Sequence, residues 1–235
     1  MKTIQQYIEQ FDNHYDRMRG LISELDIYQY NEILSFNLYN RYNYYINVLK
    51  RYDSNQNNFK DIQYIKGDRS SINMVYNFMC GWLFEDLIAR ICLLDDFKNN
   101  NFYIDLNNHD RDRVIKTNTK NINSSPDFIV NKGMRTEFKI EVQTTNRNDV
   151  IKIKENKYKM AINKSSFILN GLPKAGELII LYPDTIKELG VYGEVFDGYK
   201  KGYSININDI PESIRIKKDN LINGLLKTFK KHIGD

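Results

Sequence analysis

Between Phe128 and Thr145 the chain alternates in a way that leaves few folds open to it. In Glu137-Phe138-Lys139-Ile140-Glu141-Val142-Gln143 every second residue is apolar, and those between are charged or amide. Successive side chains leave a strand on opposite sides, so a period of two marks a strand with one buried face. Just upstream, Phe128-Ile129-Val130 reads as a short apolar strand. Asn131-Lys132-Gly133 reads as a tight turn, since Asn and Gly tolerate positive φ. The pair forms a hairpin. One face of its second strand carries Glu137, Lys139, Glu141 and Gln143, and the hairpin brings Asp127 back towards them.

Crowded carboxylates repel each other and cost free energy to desolvate. A hard divalent cation removes that cost. Magnesium takes oxygen ligands and often needs only one or two protein carboxylates, leaving room for waters and a phosphate. Such a site polarises a phosphodiester and generates hydroxide near neutral pH. A solvated hairpin face with ordinary surface charges has the same spacing, so spacing alone leaves both readings open.

The residues resemble the active site of the PD-(D/E)xK nuclease superfamily. There a Pro-Asp opens one strand, and an apolar-Glu-apolar-Lys segment lies on the next. Pro126-Asp127 is similar to the first half and Ile140-Glu141-Val142-Gln143 to the second, with Gln143 where the family usually has Lys. Some restriction enzymes of the superfamily are similar in carrying Gln or Glu there. Lys139, on the same face, is the first candidate for the missing charge, and Lys152, Lys154 and Lys157 are others. Glu137-Phe138-Lys139 offers a competing register with Glu137 as the carboxylate. Glu141 is preferred because Ile140 and Val142 frame it and Thr144-Thr145 follow. Upstream, Gly81-Trp82-Leu83-Phe84-Glu85-Asp86 resembles the helix that precedes the family's catalytic sheet, where a Glu at the place of Glu85 points to the metal. Asp86 beside it suits an ordinary solvated face.

The rest of the chain sets bounds. Its 235 residues suffice for one mixed domain or a core with an appendage, and the net charge of +4 permits nucleic-acid binding without demanding it. Cys80 and Cys92 lie within one helical run and read as reduced core residues, while the scattered His14, His109 and His232 argue against zinc. No apolar run approaches the roughly 20 residues that span a bilayer, and the N-terminus lacks the apolar stretch of a signal peptide, so a cytoplasmic protein is expected.

Helical periodicity predicts amphipathic helices over 3–25 and 28–52, the second rich in Tyr39, Tyr42, Tyr44 and Tyr45. Residues 53–70 read as a polar loop. A third helix is expected over 71–94, capped by Asp68 or Ser70. Phe102–Leu106 reads as a first strand and Val114–Thr119 as its extension. Arg111 and Arg113 between them suit phosphate or guanine as well as a solvated turn. After the hairpin, a basic helix from Asn148 or Asp149 to about Lys164 is expected, carrying Lys152, Lys154, Lys157, Lys159 and Lys164. Its face is a candidate phosphate contact or a solvated surface. Glu177–Tyr182 reads as a central strand covered on both faces, forming with that helix a strand-helix-strand crossover. Val191–Phe196 and Tyr203–Ile207 read as further strands, and Ile210-Pro211 as the start of a C-terminal helix.

The expected class is α/β or α+β: a central mixed sheet flanked by helices. Residues 1–70 form an N-terminal helical region for dimerisation or DNA clamping, and 71–235 the catalytic core with a C-terminal helix. The resemblance implies a restriction-endonuclease-like core and a magnesium-dependent endonuclease acting on double-stranded DNA, most like a type II restriction enzyme. It places Asp127 and Glu141 on the metal, with Gln143, Glu85 and Lys139 at the catalytic site. A homodimer suits symmetric cutting of both strands, and a cognate DNA methyltransferase would act separately. A repair or Holliday-junction nuclease and a DNA-binding module with a decayed site remain alternatives.

Overall fold

The computed structural model describes residues 3–22, 28–54, 71–106, 127–145, 149–163, 166–196 and 200–234. The expectations for Asp68, Ser70, Arg111, Arg113, Val114–Thr119, Pro126, Asn148 and Lys164 lie outside the described residues.

Three helices open the chain: α1 (Ile4–Ile22), α2 (Tyr28–Ser54) and α3 (Ser71–Ile91). The first starts on a capping box. Thr3 N–H donates to Gln6 Oε1 at 2.9 Å, and Gln6 N–H donates to Thr3 Oγ1 at 3.2 Å. Its stripe of Tyr7, Phe11, His14, Met18 and Leu21 is buried. Asp53 and Ser54, expected in a loop, are the last residues of α2. Burial on α3 goes far beyond one stripe and includes Val75, Met79, Cys80, Trp82, Leu83, Phe84, Leu87 and Ile88. The reason is its position: α1 and α2 cover one side and the sheet the other.

A short helix, α4 (Asp95–Asn99), leads into β1 (Phe102–Leu106). Then come β2 (Phe128–Lys132), β3 (Arg135–Thr144), β4 (Val150–Lys154), α5 (Glu155–Asn163), β5 (Ser166–Leu172) and β6 (Glu177–Leu181). The chain ends with α6 (Pro183–Leu189), β7 (Val191–Phe196), β8 (Lys200–Asn206), β9 (Arg215–Lys217) and α7 (Leu221–Ile233). The molecule is a mixed α+β structure whose central sheet runs β1-β2-β3-β5-β6-β9, with β3 and β5 parallel and the other pairs antiparallel. A second sheet runs β4-β8-β7.

The central sheet buries apolar residues on both faces. Phe128, Val130, Phe138, Ile140, Val142, Phe167, Leu169, Leu178 and Ile180 join the helices in one cluster. Ile168, Leu172, Ile179 and Leu181 join Ile151, Ile153 and Ile205 of the second sheet in another. Burying a side chain of this size stabilises by about 1.5–3 kcal/mol, so the two-sided sheet is the main source of cohesion.

Several expectations are corrected. The first hairpin strand continues through Asn131 and Lys132 after an irregularity at Val130/Asn131, and the chain reverses at Gly133-Met134, where Gly133 has φ 61°. Residues 150–154, expected in the basic helix, are strand β4, because Ile151 and Ile153 alternate into the second cluster. The parallel partner reached by the crossover is β5, an unexpected strand, and Glu177–Leu181 folds back antiparallel beside it. Pro211 begins no long helix. A 3-10 turn at Glu212–Ile214 and edge strand β9 intervene before α7. Arg215 holds that edge, donating to Glu177 Oε2 at 2.9 Å and to the carbonyls of Ile207 and Ile210.

Candidate functional site

On β3 the alternation sorts the side chains. Phe138, Ile140 and Val142 face the helices, so Lys139, Glu141 and Gln143 face the opposite side, where α5 crosses. Parallel pairing sets Lys139 beside Ser166, Glu141 beside Ile168 and Gln143 beside Asn170 of β5. On the other flank, the register Phe128↔Ile140 puts Asp127, one residue outside β2, opposite Glu141. The Asp127 carboxylate is held there, Oδ2 accepting from the backbone N–H of Val142 at 2.7 Å.

Glu141 is 2% exposed, and the ammonium of Lys157 on α5 lies against its Oε1. A buried carboxylate is costly without such a partner. Gln143 Nε2 donates to Asn170 Oδ1 at 2.9 Å, and Thr145 Oγ1 donates to the same oxygen at 3.0 Å. Asn170 is fully buried.

The structure thus brings together Asp127, Glu141 and Gln143. Lys139 shares their face, two residues towards the hairpin tip, whereas the lysine touching Glu141 is Lys157. Of the other lysines grouped with it in the sequence, Lys159 pairs with Glu155 at 2.9 Å, which pulls the Glu155 carboxyl down and the Lys159 amine up. Lys152 and Lys154 alternate with buried Ile151 and Ile153 on β4. Glu137 lies on β3, and its side chain is outside the described residues.

Glu85 is half-buried on α3, across the sheet from Lys157. Its neighbour Phe84 covers Gly171, which pairs with Thr144 at the C-terminal end of β3. Asp86, expected on a solvated face, is 7% exposed; it accepts from Tyr45 Oη at 3.1 Å and pairs with Arg41 at 3.6 Å. Sequence reasoning missed Asn170 and Thr145. The two polar residues gain their role only through the β3–β5 register, and the apolar run Phe167–Leu169 ahead of Asn170 was the one local signal for that strand.

The oxygen donors at the site suit a hard cation such as magnesium or manganese, and the absence of thiolate or imidazole among them does not suit zinc. Among the described residues no group of three or more His, Cys, Asp or Glu side chains gathers. Asp127 and Glu141 are the two carboxylates that the hairpin register sets opposite each other, and magnesium, which retains waters, can be held by one or two. Nor is any helix among the described residues long and apolar enough to cross a membrane. No family model, curated protein or solved structure matches the chain.

Proposed function

We propose that the protein is a magnesium-dependent endonuclease acting on double-stranded DNA, most like a type II restriction enzyme of the PD-(D/E)xK superfamily. The observation that carries this reading is the buried Glu141 on β3, faced by Asp127 across the hairpin and by Lys157 from the helix that follows. The order of elements supports it: a helix bearing Glu85, a strand, the hairpin, a crossing helix and a parallel strand are those the resemblance implies for a restriction-endonuclease-like core.

In this reading Asp127 and Glu141 hold the cation. Bound there, magnesium supplies Lewis acidity and a water of lowered pKa. Lys157 takes the place of the family lysine, pairing with Glu141 and offering positive charge to a scissile phosphate. Gln143 brings a hydrogen-bonding amide to the site and cannot serve as general base. Lys139 lies on the same face, where it would contact the DNA backbone, whereas Glu85, on the helix covering the opposite face of the sheet, has no part at the cation in this reading. Phe36, Tyr39 and Tyr44, exposed on α2, form the surface proposed for a homodimer.

The test is cleavage of unmethylated plasmid DNA with magnesium, wild type against Asp127→Ala. Discrete fragments lost in the variant support the restriction reading. Cleavage confined to branched DNA would instead indicate a junction nuclease. DNA binding without cleavage under any divalent metal would indicate a decayed site.

A further inference from the structure

The hydrogen bonds of Asn170 decide which end of the Gln143 amide is available to the site. Asn170 Oδ1 accepts from both Gln143 Nε2 and Thr145 Oγ1, while Asn170 Nδ2 donates to the carbonyl of Gly171 at 3.4 Å. An amide turned by 180° is the usual ambiguity in such a group. Here the Gly171 carbonyl, which also accepts from the Thr145 N–H at 2.9 Å, favours the orientation described. A turned Asn170 would set Oδ1 against that carbonyl, two acceptors with no proton between them. Since Asn170 is fully buried, no solvent relieves the conflict. With Asn170 so fixed, Gln143 must give its nitrogen to β5. The two ends of an amide diverge from one carbon, so Gln143 Oε1 is turned away from β5.

This orientation excludes one simple substitution for the family lysine. A lysine is a cationic donor without acceptor capacity. Gln143 held this way keeps its donor on Asn170 and has a carbonyl oxygen to offer. The positive charge therefore falls to Lys157, and Gln143 becomes an oxygen ligand.

We infer that Asn170 is a positioning residue that makes the Gln143 carbonyl the third oxygen, with Asp127 and Glu141, of a site for a hard divalent cation. The inference rests on the cation site proposed above and adds the donor atom and the residue that orients it.

The test measures manganese affinity of the full chain without DNA, by paramagnetic resonance of free Mn2+. Gln143→Leu and Asn170→Ala should each weaken binding by about tenfold, the usual effect of removing an orienting partner. The double variant should be no weaker than either single one, because Asn170 acts only through Gln143. Thr145→Val, which removes only the second donor to Asn170, should retain affinity. Asn170→Ala opens a buried gap. If it fails to fold, Gln143→Leu on the half-buried β3 position decides the ligand, and Asn170→Leu, which fills the gap and removes the acceptor, decides the positioning by the same loss of about tenfold. Wild-type affinity in Gln143→Leu would overturn the inference, as would loss in Gln143→Leu with none in the Asn170 variants. Binding abolished by Asp127→Ala but untouched by these changes removes this inference alone. A wild type that binds no Mn2+ removes the cation site as well.

Discussion

The ammonium of Lys157 on α5 lies against the carboxylate of Glu141 on β3, sixteen residues back in the chain. Removing one member of a buried pair strands the other charge. Lys157→Met should therefore lower the unfolding free energy by about 2 kcal/mol, less than a fully buried pair because this lysine keeps some water. The readout is a urea midpoint. Glu141→Gln combined with Lys157→Met should cost less than the two single changes together. In the nuclease assay, Lys157→Met should reduce cleavage by at least about a hundredfold.

Asp127 has two separable roles, acceptor for Val142 N–H and negative charge beside Glu141. Asp127→Asn retains an acceptor oxygen and removes the charge, whereas Asp127→Ala removes both. Thermal unfolding should show Asn close to wild type and Ala lower by about 1 kcal/mol. Both should lose metal-dependent cleavage. An Asn variant that cuts like the wild type would dissociate Asp127 from the cation.

His14 predicts an acid limb of stability remote from the site. Its ring is 1% exposed, with Nε2 at 3.0 Å from the Cys80 carbonyl, and burial lowers its pKa from 6.5 to about 4. The unfolded chain therefore binds the proton first. Stability should be unaffected by this group above about pH 6.5 and should decline as pH falls towards 4, by about 3 kcal/mol in all. Urea titrations of His14→Leu across that range should show a shallower decline.

Gly171 closes the packing between α3 and the parallel strands. A Cβ there would stand 2.4 Å from the ring of Phe84, which is fully buried. Gly171→Ala should destabilise by about 1–3 kcal/mol through overpacking. Phe84→Leu in the same chain should restore part of the loss, as read by denaturant unfolding.

How much of this was legible in the sequence depends on how local the cause was. The β3 alternation could be read because its period lies within seven residues, and the mixed sheet flanked by helices followed from it and from the run Glu177–Tyr182. The Val150–Lys154 segment was harder. Its lysines suggested a basic helix, while the deciding fact was the burial of Ile151 and Ile153 beneath a sheet formed with β8, some fifty residues on. Strand β9 is similarly non-local, since Ile216 is buried only because β6 lies beside it. At the site, Asp127, Glu141 and Gln143 share one hairpin and could be picked out together. Asn170 required the β3–β5 register. Lys157 could be included among several lysines, but not selected from them.

That selection is made by α5. Lys157 and Tyr158 are consecutive, yet the first meets the central sheet at Glu141 and the second packs at 4.6 Å on Tyr203 of the small sheet. Each residue turns a helix by about 100°, so one residue deleted within α5 ahead of Lys157 would rotate the ammonium off the carboxylate. Kinship with this chain is thus written in helical phase. A relative would be recognised by the spacing from the β3 glutamate to an inward-facing lysine, and a search for adjacent Glu and Lys would pass over it.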